Sequence, residues 1–243
     1  MAPPARHDFQ AKIGTGKAHS LYSFQAPPDG ENPSGVVPVD GTLYGTCQDG
    51  ATGFGTVFKF DRATRQETTV YTFTGGNDGA APEGVPILVN GLLYGTTLAR
   101  GAGNAGTVYS LDPATGTETT LYAFGGAGDG TGPSTTLTYA NGLLYGTTSQ
   151  GGAHGDGTVY SVDPTTGHEV VLHSFSGPDG KWPIARLSYL RGQIVCNGEP
   201  GAATRPTWGR SMRLTPRRAR KPHCTRSPVR RTMAAHPTRR CTI

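Results

Sequence analysis

Four aspartates, each followed by glycine, recur at Asp29, Asp78, Asp129 and Asp179, about 50 residues apart. A proline stands three residues after each glycine, at Pro33, Pro82, Pro133 and Pro183. One carboxylate per copy could gather at one end of a repeating structure. There it could hold a cation or sugar hydroxyls, or supply the acids that cut a polysaccharide. The competing reading is mechanical: Asp before Gly is ordinary turn chemistry, and no DxDxDG calcium loop surrounds these residues. Tyr44, Tyr94 and Tyr145 recur as well, at intervals of 50 and 51. Their rings could stack on sugars, although strand aromatics in register usually pack. These four aspartates and three tyrosines are the candidate ligand-binding residues.

Other chemistry has less to stand on. His19, His154, His168 and His173 lack metal-ligand spacing, and there is no GxSxG nucleophile turn. No catalytic residue, cofactor-binding residue or metal ligand is nominated, and the reading leans away from an enzyme. Gly101 to Gly106 spells GxGxxG, but it leads into a β-prone run rather than opening a helix, so it reads as an inter-strand loop. Gly14-Thr15-Gly16-Lys17 lacks the upstream glycine and following hydroxyl of a phosphate loop.

The elements that must position these residues come from a cassette. LYGT recurs around Tyr44, Tyr94 and Tyr145, and GTVF or GTVY places Phe58, Tyr109 and Tyr160 at intervals of 51. Apolar runs close on Phe24, Phe73, Phe124 and Phe175. Several independent words at fixed spacing specify a tandem repeat. Within Asn90 to Ala140, β-prone runs cover Leu92 to Thr97, Thr107 to Leu111, Glu118 to Phe124 and Ser134 to Tyr139, separated by turn residues. Asp112-Pro113-Ala114-Thr115-Gly116 reads as the hairpin between the second and third runs. Leu92, Tyr94 and Thr96 share one strand face and Leu93, Gly95 and Thr97 the other, so both faces are partly apolar. Such a sheet needs an equivalent sheet on each side. The expected fold is all-β: tandem four-stranded antiparallel repeats of about 51 residues in an incomplete β-propeller-like array, with a disordered basic C-terminal tail. The expected organisation is residues 1–37 with a partial repeat, 38–192 with three repeats, and 193–243 as the tail.

Together LYGTT, the Gly-rich loop, GTVY, the run ending in Phe, and DG with its following Pro resemble the GloVer tandem repeat of bacterial proteins, often described as choice-of-anchor repeat proteins. The resemblance covers residues of about 19 to 192. It implies a propeller-like fold and an extracellular or cell-surface location, with no established catalytic residue to carry over. Met1 to Lys17 has no apolar stretch of the signal-peptide kind, and nothing in the chain is long enough to span a membrane.

After Gly192 the composition changes. Residues 194 to 243 hold twelve Lys or Arg against Glu199, a net +11 beside −6 for residues 1 to 193, within a whole-chain +5. A basic tail invites a nucleic-acid reading. The genetic code offers a better one. Read two bases later, the codons of Leu214 to Pro222 permit DPATGTET, the word at 112 to 119. Extended from Trp208 through Ser227, the shifted frame permits GPVYAADPATGTETALHSF. Its Asp falls 51 residues after Asp163 and its Phe 51 after Phe175. The tail therefore reads as a frameshifted fourth repeat, with no specific nucleic-acid partner. Cys196, Cys224 and Cys241 belong to it, and Cys47 stands where sister copies have Thr97 and Thr148, so no disulfide or zinc framework is expected. The function expected is non-enzymatic binding of a glycan or surface protein. The alternative is a propeller hydrolase or lyase acting on polysaccharide.

Overall fold

A computed structural model describes residues 7–13, 17–24, 30–50 and 52–197, with the short segments 211–212, 224–225 and 240–242. Asp29 and most of the basic tail, including its expected disorder, lie outside the described residues. Every regular element among the described residues is a β-strand. Strands β1 (His7–Ile13) and β2 (Lys17–Phe24) pair antiparallel. Strands β3 (Glu31–Val39), β4 (Thr42–Asp49), β5 (Thr56–Asp61) and β6 (Gln66–Thr72) form a four-stranded antiparallel sheet in chain order. The next sheet repeats that order with β7 (Ala80–Val89), β8 (Leu92–Ala99), β9 (Thr107–Leu111) and β10 (Glu118–Ala123).

In the third sheet the first strand is split into β11 (Gly130–Pro133) and β12 (Thr138–Ala140), both paired with β13 (Leu143–Gly151). Strands β14 (Thr158–Val162) and β15 (Glu169–Ser174) complete it. Strands β16 (Leu187–Leu190) and β17 (Gln193–Asn197) pair as the start of a fourth sheet. The pair β18 (Ser211–Met212) and β19 (Cys224–Thr225) follows, and β20 (Arg240–Thr242) lies along β17. The chain divides into two compact units, residues 1–125 and 126–243.

The tandem four-stranded architecture agrees with the sequence reading, but one strand differs. Ser134 to Tyr139 reads as a continuous strand, whereas Ser134 to Leu137 leave the ladder. Pro133 has no N–H to give and Gly132 lies at φ +67°, so the backbone detours. The detour buries Leu137 and brings Thr135 Oγ1 within 3.2 Å of Thr147 Oγ1. Strands β3 and β7 absorb the same irregularity as register shifts, at Pro33/Gly35 and Glu83/Ile87. The window 90–140 also cuts across two sheets, because the strand preceding LYGTT pairs with it and opens its own sheet. The expected hairpin at Asp112 is present: Gly116 N donates to Asp112 O at 2.8 Å, Asp112 N to Thr117 O at 3.0 Å, and Gly116 takes φ +72°.

Both faces of each central strand are buried, as the two-sided apolar pattern requires. In the first unit, Val57 and Phe73 of one sheet pack against Leu93, Tyr109 and Leu111 of the next, with Val37, Tyr44 and Tyr71 alongside. The other face of the first sheet, through Cys47 and Phe58, packs on Phe24 of β2. In the second unit Tyr145 and Val159 meet Phe175, Leu187 and Ile194. Each large apolar side chain so buried contributes roughly 1.5–3 kcal/mol.

The glycine of LYGT is a direct cross-strand partner of the aromatic in GTVF or GTVY: Gly45 opposite Phe58, Gly95 opposite Tyr109, Gly146 opposite Tyr160. A Cβ on Gly95 would lie 2.4 Å from Tyr109 Oη and 2.6 Å from its Cζ; on Gly146 it would lie 2.3 Å from Tyr160 Oη. Each ring lies across the neighbouring strand in space that a side chain would fill. Gly95→Ala is accordingly expected to cost about 1–3 kcal/mol in guanidinium denaturation. Shortening Tyr109 to Val in the same chain should remove most of the clash term in a double-mutant cycle.

Candidate functional site

Two sets of loops converge at one end of each sheet. One joins the second and third strands, and the other links the last strand to the sheet that follows. The same backbone bond ties them in three copies: Phe73 N to Gly55 O at 2.9 Å, Phe124 N to Gly106 O at 3.0 Å, and Phe175 N to Gly157 O at 2.9 Å. The GxGxxG segment is one of these loops, and Gly103 presses on backbone, where a Cβ would lie 1.9 Å from Phe124 O. Its glycines serve packing between loops.

The recurring aspartates sit in the linking loops. Asp78 is 8% exposed. Its Oδ2 accepts from Tyr71 OH at 3.0 Å and Thr74 N at 2.7 Å, and its Oδ1 accepts from Thr74 Oγ1 at 2.7 Å. Asp129 accepts from Gly126 N at 3.4 Å and Gly130 N at 2.7 Å. Asp179 accepts from Ser176 N at 2.9 Å and Ser176 Oγ at 3.1 Å, and its Oδ2 lies 2.9 Å from His173 Nε2. Each carboxylate thus clasps its own loop.

Tyr71 and His173 occupy equivalent positions, 102 residues apart, and share a geometry. Each ring stands edge-on to the phenylalanine two residues later, at 5.1 Å for Tyr71–Phe73 and 4.8 Å for His173–Phe175, and turns its polar tip to the aspartate. Burial and the bond to Asp78 push the Tyr71 phenol up. Burial holds His173 below the usual imidazole range, against the opposing pull of Asp179. The words ending in Phe and beginning with DG are therefore one device: an aromatic pair on the last strand fastens the loop to the next sheet.

The candidate tyrosines are elsewhere. Tyr145 is 3% exposed in the second unit's core, Tyr94 is buried, and Tyr44 is half-buried against the first unit's core. The structure does not bring them together with the aspartates into one surface.

Sequence reading missed a recurring acid. Glu67, Glu118 and Glu169 follow one another at intervals of 51, the same signal that marked the tyrosines, on β6, β10 and β15. Burial first, then the charge of Asp78, raises Glu118 to about 6, while a bond from Thr120 Oγ1 at 3.0 Å opposes the shift. In the next copy Val171 replaces that threonine. Glu169 Oε1 is buried without a hydrogen-bond partner, and burial together with Asp129 raises this carboxyl to about 7.

A second replacement does the opposite of repair. In two copies a buried threonine pair closes the loop end, Thr97 Oγ1 to Thr107 Oγ1 and Thr148 Oγ1 to Thr158 Oγ1, both at 2.8 Å. In the first copy Cys47 takes the place of the first threonine, and Thr56 Oγ1 is buried without a hydrogen-bond partner.

The third linking loop also departs from its sisters. The residue before the proline takes a left-handed backbone in every copy: Asn32 at φ +54°, Ala81 at +54°, Gly132 at +67° and Trp182 at +48°. A bulky residue held there costs on the order of 1–3 kcal/mol. Trp182 N donates to Asp156 O at 2.9 Å, as Ala81 N donates to Phe54 O at 2.9 Å in the first unit. Where the first unit has apolar Phe54, the second has Asp156, which pairs with Lys181 Nζ at 3.3 Å. Trp182 itself is 54% exposed.

Comparison with known proteins fits this repeating geometry. The model of the Gloeobacter/Verrucomicrobia repeat matches residues 7–204. The chain belongs to that repeat family. The family match extends beyond the 19 to 192 over which the motifs are legible, at both ends. No curated protein matches the chain. Among solved structures, the nidogen/laminin complex is similar at a TM-score of 0.52 and 13% identity, covering 78% of this chain and 63% of that one. TolB from Acinetobacter baumannii is similar at 0.52 and 16% identity, covering 80% and 43%. A structural genomics protein of unknown function from Bacteroides thetaiotaomicron is similar at 0.51 and 15% identity, covering 79% and 43%. The chain spans less than two thirds of each of these proteins, and at such identities the likeness shows the fold alone, which is β-propeller-like. Among the described residues no helix is long and apolar enough to cross a membrane.

Within this repeat family member, the sister copies supply their own controls. Restoring the threonine with Cys47→Thr gives Thr56 a partner and is expected to raise stability by about 1 kcal/mol in denaturant titration. The raised glutamates set a pH dependence. Folded Glu169 and Glu118 hold protons that the unfolded chain releases above its ordinary value of 4.5, so their contribution is fully present below that value. It is lost as pH rises through about 6 for Glu118 and about 7 for Glu169. His173, held below its ordinary 6.5, acts with the opposite sign up to that pH, so melting temperature is expected to fall most clearly at the upper end of the window, and Glu169→Gln should flatten that fall. Val171→Thr should shift the same limb to lower pH by supplying the missing hydrogen bond. The hairpin aspartates Asp61, Asp112 and Asp163, lowered by backbone N–H donors, act with opposite sign and only below their ordinary 3.8.

Proposed function

We propose that this repeat protein is non-enzymatic and extracellular or cell-surface in type, presenting the clasped loops of its sheets to a glycan or a surface protein. The observation that carries the proposal is how the recurring carboxylates of Asp78, Asp129 and Asp179 are used: as acceptors that hold their own loops. A carboxylate so engaged is a poor general acid or nucleophile, and the repeat reads as a scaffold on which loop chemistry varies. A similar fold crystallised as a nidogen/laminin complex is an example of such an architecture in a protein assembly. The location rests on the family resemblance.

One specific observation favours the rival reading, a polysaccharide hydrolase or lyase. Glu118 near Asp78, and Glu169 near Asp129, are acid pairs in which one member keeps its proton close to neutral pH. Screening the full chain on a glycan array, with parallel assay of reducing-end release, separates the two. Saturable binding without product is expected. Turnover that disappears in Glu118→Gln or Glu169→Gln would instead establish the enzyme.

The basic ending is proposed to be the out-of-frame remnant of a fourth repeat, so its charge gives polyanions weak, salt-sensitive attraction and no sequence preference. Sequencing the gene across codons 185 to 243 tests this. An intact frame encoding the arginines in related genes would refute it.

A further inference from the structure

We infer that Trp182, flanked by Lys181 and Asp156, is the sugar-contacting platform of this protein, taking a pyranose unit of a polysaccharide on the indole face. The inference rests on the binding reading above and assigns it a place. Three independent features meet at this point of the second unit. Trp182 is 54% exposed, and its neighbour two residues on, Ile184, is 68% exposed, so two large apolar side chains of this loop meet solvent. The backbone beneath is held from several sides: Trp182 N bonds Asp156 O at 2.9 Å, Gly177 and Gly180 exchange backbone bonds at 3.1 and 3.2 Å, and Asp179 closes the loop on Ser176 and His173. An indole on a held backbone has only its two side-chain torsions to lose when a ligand arrives. The two residues joined to Trp182 through the backbone, Lys181 before it in the chain and Asp156 through its carbonyl, pair at 3.3 Å between Nζ and Oδ1, with about half of the Lys181 side chain exposed, and offer a donor and an acceptor for ring hydroxyls.

Comparison with the sister copies sharpens the assignment. The position of Trp182 is Asn32, Ala81 and Gly132 elsewhere, and that of Asp156 is Phe54 and Ala105. Small residues or asparagine suit the left-handed backbone; tryptophan does not. In the first unit the corresponding loops close on apolar Phe54, which contacts the core. Here the same loops carry a charged pair and an aromatic ring turned outward. A pyranose has an apolar C–H face and a rim of hydroxyls, the complement of an exposed indole on a loop that also carries an ion pair. Two tryptophans occur in the chain, so replacing Trp208 by Phe leaves Trp182 as the single indole reporter.

The test uses the full chain carrying Trp208→Phe, titrated with soluble β-glucan, galactan and polygalacturonate while indole emission and calorimetric heat are recorded. At least one polysaccharide is expected to bind with a blue shift of emission. Trp182→Gly should weaken it at least tenfold while keeping or raising the melting temperature, because glycine relieves the left-handed strain. Trp182→Tyr should retain part of the affinity. Binding by calorimetry with no change in indole emission, or Trp182→Gly binding within twofold of the parent, overturns the assignment and leaves the general binding proposal standing. No binding of any polysaccharide by the parent chain overturns the assignment together with the glycan arm of that proposal.

Discussion

The fold depends on a cross-strand pairing of an absent side chain with an aromatic ring. Gly95 faces Tyr109 and Gly146 faces Tyr160, with Gly45 and Phe58 in the same relation. With a Cβ at the glycine the ring would have to rise off the sheet. Lying flat, it leaves a smooth apolar surface against which the next sheet can pack, and in the first unit Phe73 stands edge-on to Tyr109 at 5.2 Å. Stacked sheets need close and repeated approach of their faces. The glycine of LYGT is therefore a packing residue, and the two words are halves of one contact.

The second device fastens successive sheets along the chain. An aromatic pair on the last strand turns its polar tip to the aspartate of the following loop, as in Tyr71 with Asp78 and His173 with Asp179. Tyrosine and histidine are interchangeable there because the demand is a flat ring that packs edge-on and donates one hydrogen bond. Asp78, Asp129 and Asp179 each accept hydrogen bonds from their own loop. Where the repeat departs from itself the physical effect can be read directly at position 47, where cysteine for threonine leaves the Thr56 hydroxyl without a hydrogen-bond partner. Symmetry broken in the interior costs stability, whereas symmetry broken at the loop end, at Trp182, puts an aromatic side chain on the exposed surface.

Much of this was legible from the chain alone. The fixed spacing of LYGT, GTVY and the Phe-terminated runs marks a repeat, and period-two apolarity on both strand faces demands sheets that stack. The Asp112 turn follows from proline and glycine at positions with fixed φ requirements. The split of the third sheet's first strand was not legible, because the local pattern of Ser134 to Tyr139 favours a strand and it is Gly132 and Pro133, with Leu137 seeking the core, that divert it. The recurring glutamates carried a periodic signal equal to that of the tyrosines, but single acids beside turns look solvated until burial is known.

Period, strand alternation and turn chemistry are local properties, so the sequence by itself determined the repeating unit, its all-β character and the places where the chain reverses. Burial and partnership are properties of residues distant in the chain. The tertiary structure alone decided that Asp78, Asp129 and Asp179 close loops, that Tyr94 and Tyr145 pack inside, that Glu118 and Glu169 are half-buried acids, and that Trp182 is exposed on a left-handed backbone. The physical reason is that a side chain's chemistry depends on how much water it keeps and which groups replace the rest, and those groups arrive from other strands.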